Sequence, residues 1–203
     1  MIDRLAAVAE RDVSRETFEV LSAYVAMLVA ESAHQSLVSK ASLADIWERH
    51  IVDSAQLVPM ALLGPWVDIG SGAGLPGVVV AILTGEQVTL VEPRRLRVAF
   101  LQRIKAHLAL ENLTIYEGRS GSSCGIYPNI TARAVASASS LFAMTLHLSS
   151  NDTVWLLPRG RSAQKELDEV RASWQGAFRL EPSRTDPVSS ILIASGVQAR
   201  GKR

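Results

Sequence analysis

The stretch Val67-Asp68-Ile69-Gly70-Ser71-Gly72-Ala73-Gly74-Leu75-Pro76-Gly77 constrains this chain more than any other. An apolar strand enters it, and Val78–Leu83 leaves it as an apolar helix. Glycines at alternate positions remove Cβ atoms, so the backbone turns tightly and a nucleotide-like ligand can approach the main chain. Glu92 follows at the end of a second apolar strand, Gln87–Val91, where a carboxylate can accept hydrogen bonds from a ribose. Turn and acid together imply an adenosine-containing cofactor without saying which one.

Two cofactors compete. Gly72-Ala73-Gly74-Leu75-Pro76-Gly77 matches the dinucleotide fingerprint GxGxxG, a weak signal by itself. A dinucleotide enzyme also needs a second half-site and a substrate domain, and the chain after Glu92 is short for both. The frame Asp68-x-Gly70-x-Gly72-x-Gly74 instead fits an S-adenosylmethionine turn. In that frame Asp68 reaches the methionine ammonium group and Glu92 takes the ribose hydroxyls. Asp68 also reads as a plain cap for the turn. The spacing to Glu92 favours S-adenosylmethionine, and NAD stays as the weaker alternative.

From Trp66 onward, strand and helix patterns alternate. Strands are expected at Trp66–Ile69, Gln87–Val91, Leu113–Tyr116, Ile130–Ala134 and Thr153–Leu157. Helices are expected at Gly77–Leu83, Leu96–Leu110, Ser139–Leu148 and Ser162–Trp174. That order implies an α/β fold with a parallel sheet covered on both faces. Ala177–Leu180 and Ser190–Ala194 leave no room for a helix between them and are expected to pair as an antiparallel edge hairpin. Five parallel strands and a terminal hairpin form the Rossmann-like layout of the class I methyltransferase sheet. Before it, residues 1–62 form a helical extension to a domain spanning 63–203. Phe18, Leu21, Val25, Leu28 and Val29 recur at helical spacing, and Ser42 with Asp45 reads as a capping box opening a second helix.

Composition sets limits. The single cysteine, Cys124, excludes an internal disulfide and a cysteine-rich metal site, and no metal is expected. No run is long and apolar enough to span a membrane, and the mixed charges of the N-terminus do not read as a signal peptide, so a cytoplasmic location is the expectation. The net charge of +1 is nearly neutral but unevenly spread. Residues 1–62 hold five basic and nine acidic side chains, and residues 63–203 hold sixteen and eleven. Arg94, Arg95, Arg97, Arg103 and Lys105 fall in a stretch without acids, and Arg159, Arg161 and Lys165 follow. A polyanion partner or a solvated helix face would each account for this.

Several motifs together resemble one family. Beside the glycine turn stand Trp47-Glu48-Arg49-His50-Ile51-Val52-Asp53-Ser54, a basic helix start at Glu92-Pro93-Arg94-Arg95-Leu96-Arg97, Thr131-Ala132-Arg133-Ala134-Val135-Ala136, and Leu156-Leu157-Pro158-Arg159-Gly160-Arg161. In this order they resemble the bacterial small-subunit rRNA guanine-N7 methyltransferases, the RsmG or GidB family, from about Ile46 to Glu166. The resemblance implies methyl transfer from S-adenosylmethionine to N7 of a guanine in 16S rRNA, at the guanosine-527 position of the 530 loop. It implies that Gly70, Gly72, Gly74 and Leu75 surround the methionine and ribose, that Glu92 binds the ribose diol, and that the Ser120-Gly121 backbone meets the adenine. Arg133 would stand at the junction of cofactor and target base, as both a cofactor contact and the catalytic residue. Arg94, Arg95, Arg97, Arg159 and Arg161 would hold RNA phosphates, the partner being 16S rRNA or the small ribosomal subunit and the protein a monomer. The chain departs from the family pattern at Ser120-Gly121-Ser122-Ser123 after Arg119, at Ser137 in place of proline, and at Arg159 in place of lysine.

Absences narrow the chemistry. The (Asp/Asn)-Pro-Pro-(Tyr/Phe) clamp of amino-group methyltransferases is replaced by Arg133-Ala134-Val135-Ala136. A cytosine-C5 enzyme needs a nucleophilic cysteine, and Cys124 sits in the loop after the third strand, the wrong place. A small-molecule methyltransferase or a non-catalytic RNA-binding assembly factor on the same fold are the other readings. His50 and Asp53, on adjacent turns, are expected to tie the N-terminal helices to the sheet.

Overall fold

The computed structural model describes residues 1–122 and 125–200. Cys124, and Lys202 and Arg203 of the basic tail, lie outside the described residues. The chain opens with α1 (Ile2–Ala9), α2 (Arg15–Glu31) and α3 (Lys40–Leu43), then a π-helical segment, Trp47–Val52, that runs into α4 (Asp53–Ala55). The alternating region gives β1 (Trp66–Ile69), α5 (Gly77–Thr84), β2 (Val88–Glu92), α6 (Arg95–His107) and β3 (Leu113–Glu117). It continues with β4 (Asn129–Thr131), α7 (Ala138–Thr145), β5 (Val154–Arg159), α8 (Ala163–Ser173), β6 (Trp174–Pro182) and β7 (Ser190–Ala199).

The seven strands form one sheet in the order β3-β2-β1-β4-β5-β7-β6. Pairs among β1 to β5 are parallel, and β7 runs antiparallel between β5 and β6. The chain winds outward from β1 to β3, then crosses back to β4 on the other side of β1. That crossing is the switch point where α/β sheets open a crevice at the carboxyl ends of their strands.

Strand alternation sorts the core into two layers. Trp66, Val88, Leu90, Leu156 and Ile193 face one side, packed with Leu5, Leu21, Tyr24, Ile51, Val78 and Phe100. Val67, Ile69, Val91, Ile130, Trp155 and Leu157 face the other, against Phe142, Leu167 and Trp174. Phe142 meets the Trp155 ring edge-on at 5.5 Å. Residues 1–62 therefore share a core with the sheet.

Three local expectations change. Ser39, not Ser42, caps the short α3, its hydroxyl accepting from Ser42 N–H, and the helical stretch after Asp45 is partly π-helical. α1 was not expected; Leu5, Val8 and Ala9 bury its inner face. β4 stops at Thr131 because only three of its residues pair with β1, which frees Arg133 from the sheet.

Tyr24 joins the extension to the glycine turn: fully buried on α2, it donates its hydroxyl proton to Ala73 O at 3.0 Å. Burial raises its pKa. Tyr24→Phe leaves that carbonyl without a partner, so unfolding free energy falls by about 1–2 kcal/mol and Tm by roughly 2–8 °C, measured in a thermal melt.

Candidate active site

The glycine turn is held by two carboxylates. Alternation along β1 puts Asp68 on the same face as Trp66, beneath α5. There it is 0% exposed, and its Oδ2 accepts from Gly77 N–H at 3.1 Å. A methyl group on residue 77 would stand 2.9 Å from that oxygen, so glycine is what admits the carboxylate. Among the described residues Oδ1 has no hydrogen-bond partner. Burial pushes the carboxyl up to about 7, with the Gly77 bond pulling the other way.

Glu92, 2% exposed at the end of β2, holds the other side of the turn. Its Oε2 accepts from Gly72 N–H at 2.8 Å and its Oε1 from Arg94 N–H at 2.9 Å. Gly72 has φ 57°, a left-handed backbone that aims this N–H at the acid. Arg97 Nη1 stands 3.8 Å from Oε2. Each carboxylate oxygen keeps a second lone pair for a ligand.

Above the turn lies a cavity of about 540 Å³, the size of a small-molecule site. Of the residues expected around the cofactor, Gly70, Gly72, Leu75, Glu92, Ser120 and Arg133 line it, with Arg94 and Arg97 at its wall. Asp68, Gly74 and Gly121 do not line it. Asp68 is turned to the α5 face by the strand alternation. Gly74 serves packing, since a methyl there would meet Val78 and Leu101 at 2.5 and 3.1 Å. Gly121 is exposed, with open space where a side chain would stand. Ser120 is buried, and its carbonyl pairs with His147 Nε2 at 3.0 Å.

A second groove, about 660 Å³, shares Arg133, Ala134 and Val135 with the first. Ala134 has φ 56°, a strained conformation outside glycine, at the point where the chain divides the two spaces. Arg133 belongs to both walls and is one-fifth exposed.

Arg159, expected to hold RNA phosphates, is buried. It ends β5 with its side chain only 5% exposed, its Nε 3.1 Å from Glu166 Oε2 and its Nη2 without a hydrogen-bond partner among the described residues. A guanidinium that buried requires a counter-charge, and Glu166 supplies it. Burial lowers its pKa and Glu166 opposes the shift. Arg94 and Arg161 are exposed. Arg95 is exposed too and pairs with Glu117 at 3.2 Å.

Sequence reasoning did not connect Arg133 to the N-terminal extension. Its Nη2 lies 3.0 Å from His50 Nδ1 and its Nη1 lies 3.4 Å from Asp53 Oδ2. Nor did it find Leu37, Val135 and Met144 in the cavity wall. These come from three distant segments, and no local spacing signals them.

The model of rRNA small subunit methyltransferase G, GidB, matches residues 17–182. The chain belongs to the GidB family. The ribosomal RNA small subunit methyltransferase G of Zymomonas mobilis is 44% identical over 202 residues, covering 94% of this chain and 91% of that protein. The protein of the same name from Rhizorhabdus wittichii is 45% identical over 199 residues, covering 95% and 92%. Solved structures share the fold at lower identity. A mutant of MtNAS in complex with S-adenosylmethionine superposes with a TM-score of 0.57 at 15% identity, over 83% of this chain and 72% of that one. A putative caffeoyl-CoA O-methyltransferase from Staphylococcus aureus does so with a TM-score of 0.54 at 15% identity, over 85% and 92%. The parallel sheet with a terminal antiparallel hairpin expected from the strand order is present, and these solved structures share the fold.

The raised Asp68 carboxyl makes a pH prediction. Its pKa goes from 3.8 to about 7, so between those values the folded chain holds a proton that the unfolded chain has released. This group's contribution is full below the lower value and declines as pH rises to the upper one. In urea unfolding at pH 4.5 and pH 7, wild type should lose stability relative to Asp68→Asn as pH rises. Parallel curves would contradict the assignment.

Proposed function

We propose that this chain transfers the methyl group of S-adenosylmethionine to N7 of a guanine in 16S rRNA, within the small ribosomal subunit or its precursor. The observation that carries the reading is Arg133, a single donor-only cation standing in the wall of both cavities. One cavity takes the methyl donor and the other the target base, with Arg133 where they join.

The first cavity fits the donor. Glu92 offers free lone pairs for a ribose diol beside the Gly72 backbone, and Ile69, Leu75 and Val91 give apolar wall. Ser120 stands where the adenine would lie. Asp68 and Gly74 act from beneath, Asp68 by capping the turn and Gly74 by letting α6 pack close. S-adenosylmethionine supplies a methyl group on a positively charged sulfur that leaves readily.

Guanine N7 has a lone pair and no proton to lose, so the residues around it need supply no general base. Their task is to hold the base in line with the methyl group and exclude water. A guanidinium donating to guanine O6 orients the ring and leaves the N7 lone pair open to the methyl group. We assign that contact to Arg133, which also borders the donor. Arg159, buried in the second groove with Nη2 without a hydrogen-bond partner among the described residues, is assigned to the target nucleotide from inside the groove. Arg161, Arg94 and Arg95, all exposed, and the half-exposed Arg97 are left for the RNA backbone, in line with the basic excess of residues 63–203.

Residues 1–62 work as a helical extension of the methyltransferase domain at 63–203, sharing its core. Among the described residues no helix is long and apolar enough to cross a membrane. We assign the chain as a monomer acting in the cytoplasm on the small subunit.

Two variants separate donor binding from transfer. Glu92→Ala should weaken S-adenosylmethionine binding in calorimetry by about 10–100-fold, the loss of charge-assisted hydrogen bonds. Arg133→Ala should bind the cofactor but lose methylation of small-subunit rRNA by about 100-fold or more. Wild-type transfer by Arg133→Ala would refute the role assigned to it.

A further inference from the structure

His50 and Asp53 have no part in the reading above, yet they reach across 83 and 80 residues of chain to one guanidinium. His50 Nδ1 is 3.0 Å from Arg133 Nη2, and Asp53 Oδ2 is 3.4 Å from Arg133 Nη1. A guanidinium only donates, so His50 Nδ1 accepts and the ring proton sits on Nε2. That proton points to Ser42 Oγ at 2.9 Å, and Ser42 Oγ donates onward to Ser39 O at 2.8 Å. Burial and the Arg133 charge hold the imidazole neutral, with a pKa of about 4. Asp53 divides its carboxylate: Oδ1 accepts from Gln56 Nε2 at 2.7 Å and Thr185 Oγ1 at 2.8 Å, while Oδ2 faces Arg133. His50 rides the π-helical turn and Asp53 caps its end, Asp53 N–H reaching back to Glu48 O, and such turns recur at functional sites.

We infer that His50 and Asp53 are positioning residues for Arg133, fixing the plane of its guanidinium between the donor cavity and the acceptor groove. The inference rests on the role assigned to Arg133 above. A long arginine side chain without these acceptors would sample many rotamers. With one acceptor on each terminal nitrogen, its fork holds a single orientation. The helical extension, through Ser39, Ser42 and the π-helical turn, thereby takes part in the reaction without touching substrate.

The test uses paired amide substitutions. In His50→Asn the side-chain oxygen takes the place of Nδ1 and still accepts from Arg133. In His50→Gln the amide reaches the place of Nε2, keeps Ser42 and leaves Arg133 without its acceptor. Steady-state methylation of small-subunit rRNA should show kcat about 100-fold lower in His50→Gln, and restored to within about tenfold of wild type in His50→Asn. Cofactor affinity should change by less than about threefold in both, with substrate KM likewise, because the defect is one of alignment. Adding His50→Gln to Arg133→Ala should cost nothing further.

Equal kcat in the two amide variants would overturn the inference, as would a fall in Tm with kcat unchanged. If His50→Gln does not fold, Asp53→Asn reads the same alignment from the other nitrogen, with the same kcat-only loss expected and an unchanged kcat overturning the inference. An active Arg133→Ala would instead mean that the reading of Arg133 has failed. An inactive Arg133→Ala beside a fully active His50→Gln defeats only the positioning role.

Discussion

The site depends on one constraint: two buried carboxylates, at the ends of neighbouring strands, each accept an N–H group of the same glycine turn. Asp68 Oδ2 takes Gly77 N–H from below, and Glu92 takes Gly72 N–H from the side. A buried carboxylate without such donors would be costly, and a turn with free N–H groups would be equally so. Each solves the other's problem. The result is a rigid backbone loop with the second lone pairs of Glu92 facing the cavity before any ligand arrives.

From that turn the rest of the site follows by packing. Tyr24 ties α2 to Ala73, and Gly74 lets Val78 and Leu101 close beneath. The extension that supplies Tyr24 also supplies His50 and Asp53 to Arg133 on the far side of the cavity. The N-terminal helices thus brace the donor side at one end and the acceptor side at the other. Arg159 completes the arrangement as a buried charge held by Glu166, its Nη2 without a hydrogen-bond partner among the described residues.

Much of this was legible because the signals were local. The strand order and terminal hairpin follow from hydrophobic period and the lengths of connecting segments, and β1 was read residue for residue as Trp66–Ile69. Glu92 could be found because it sits at a set distance beyond a glycine turn. Arg133 stood out as a cation inside an apolar run. Two kinds of relation are not local. Which face a strand residue takes depends on what packs over it: Asp68, which reads in the sequence either as a cofactor contact or as a cap for the turn, lies under α5 and accepts from Gly77 N–H. Which charges pair across the fold is not written in spacing: nothing in the sequence signals that Arg159 is buried against Glu166, and the His50–Arg133 contact joins segments that share no local pattern. The cap at Ser39 rather than Ser42 was missed because both serines precede helical residues and only backbone geometry distinguishes them.

In the proposed function, this turn and Arg133 together direct a methyl group to a ring nitrogen of ribosomal guanine. The most direct measurement is to incubate the protein with methyl-labelled S-adenosylmethionine and unmethylated small ribosomal subunits, then map the labelled base and atom by nuclease digestion and mass spectrometry. The account predicts label on N7 of a single guanine in 16S rRNA. Label on a small metabolite, on an exocyclic amine or on no RNA at all would contradict it.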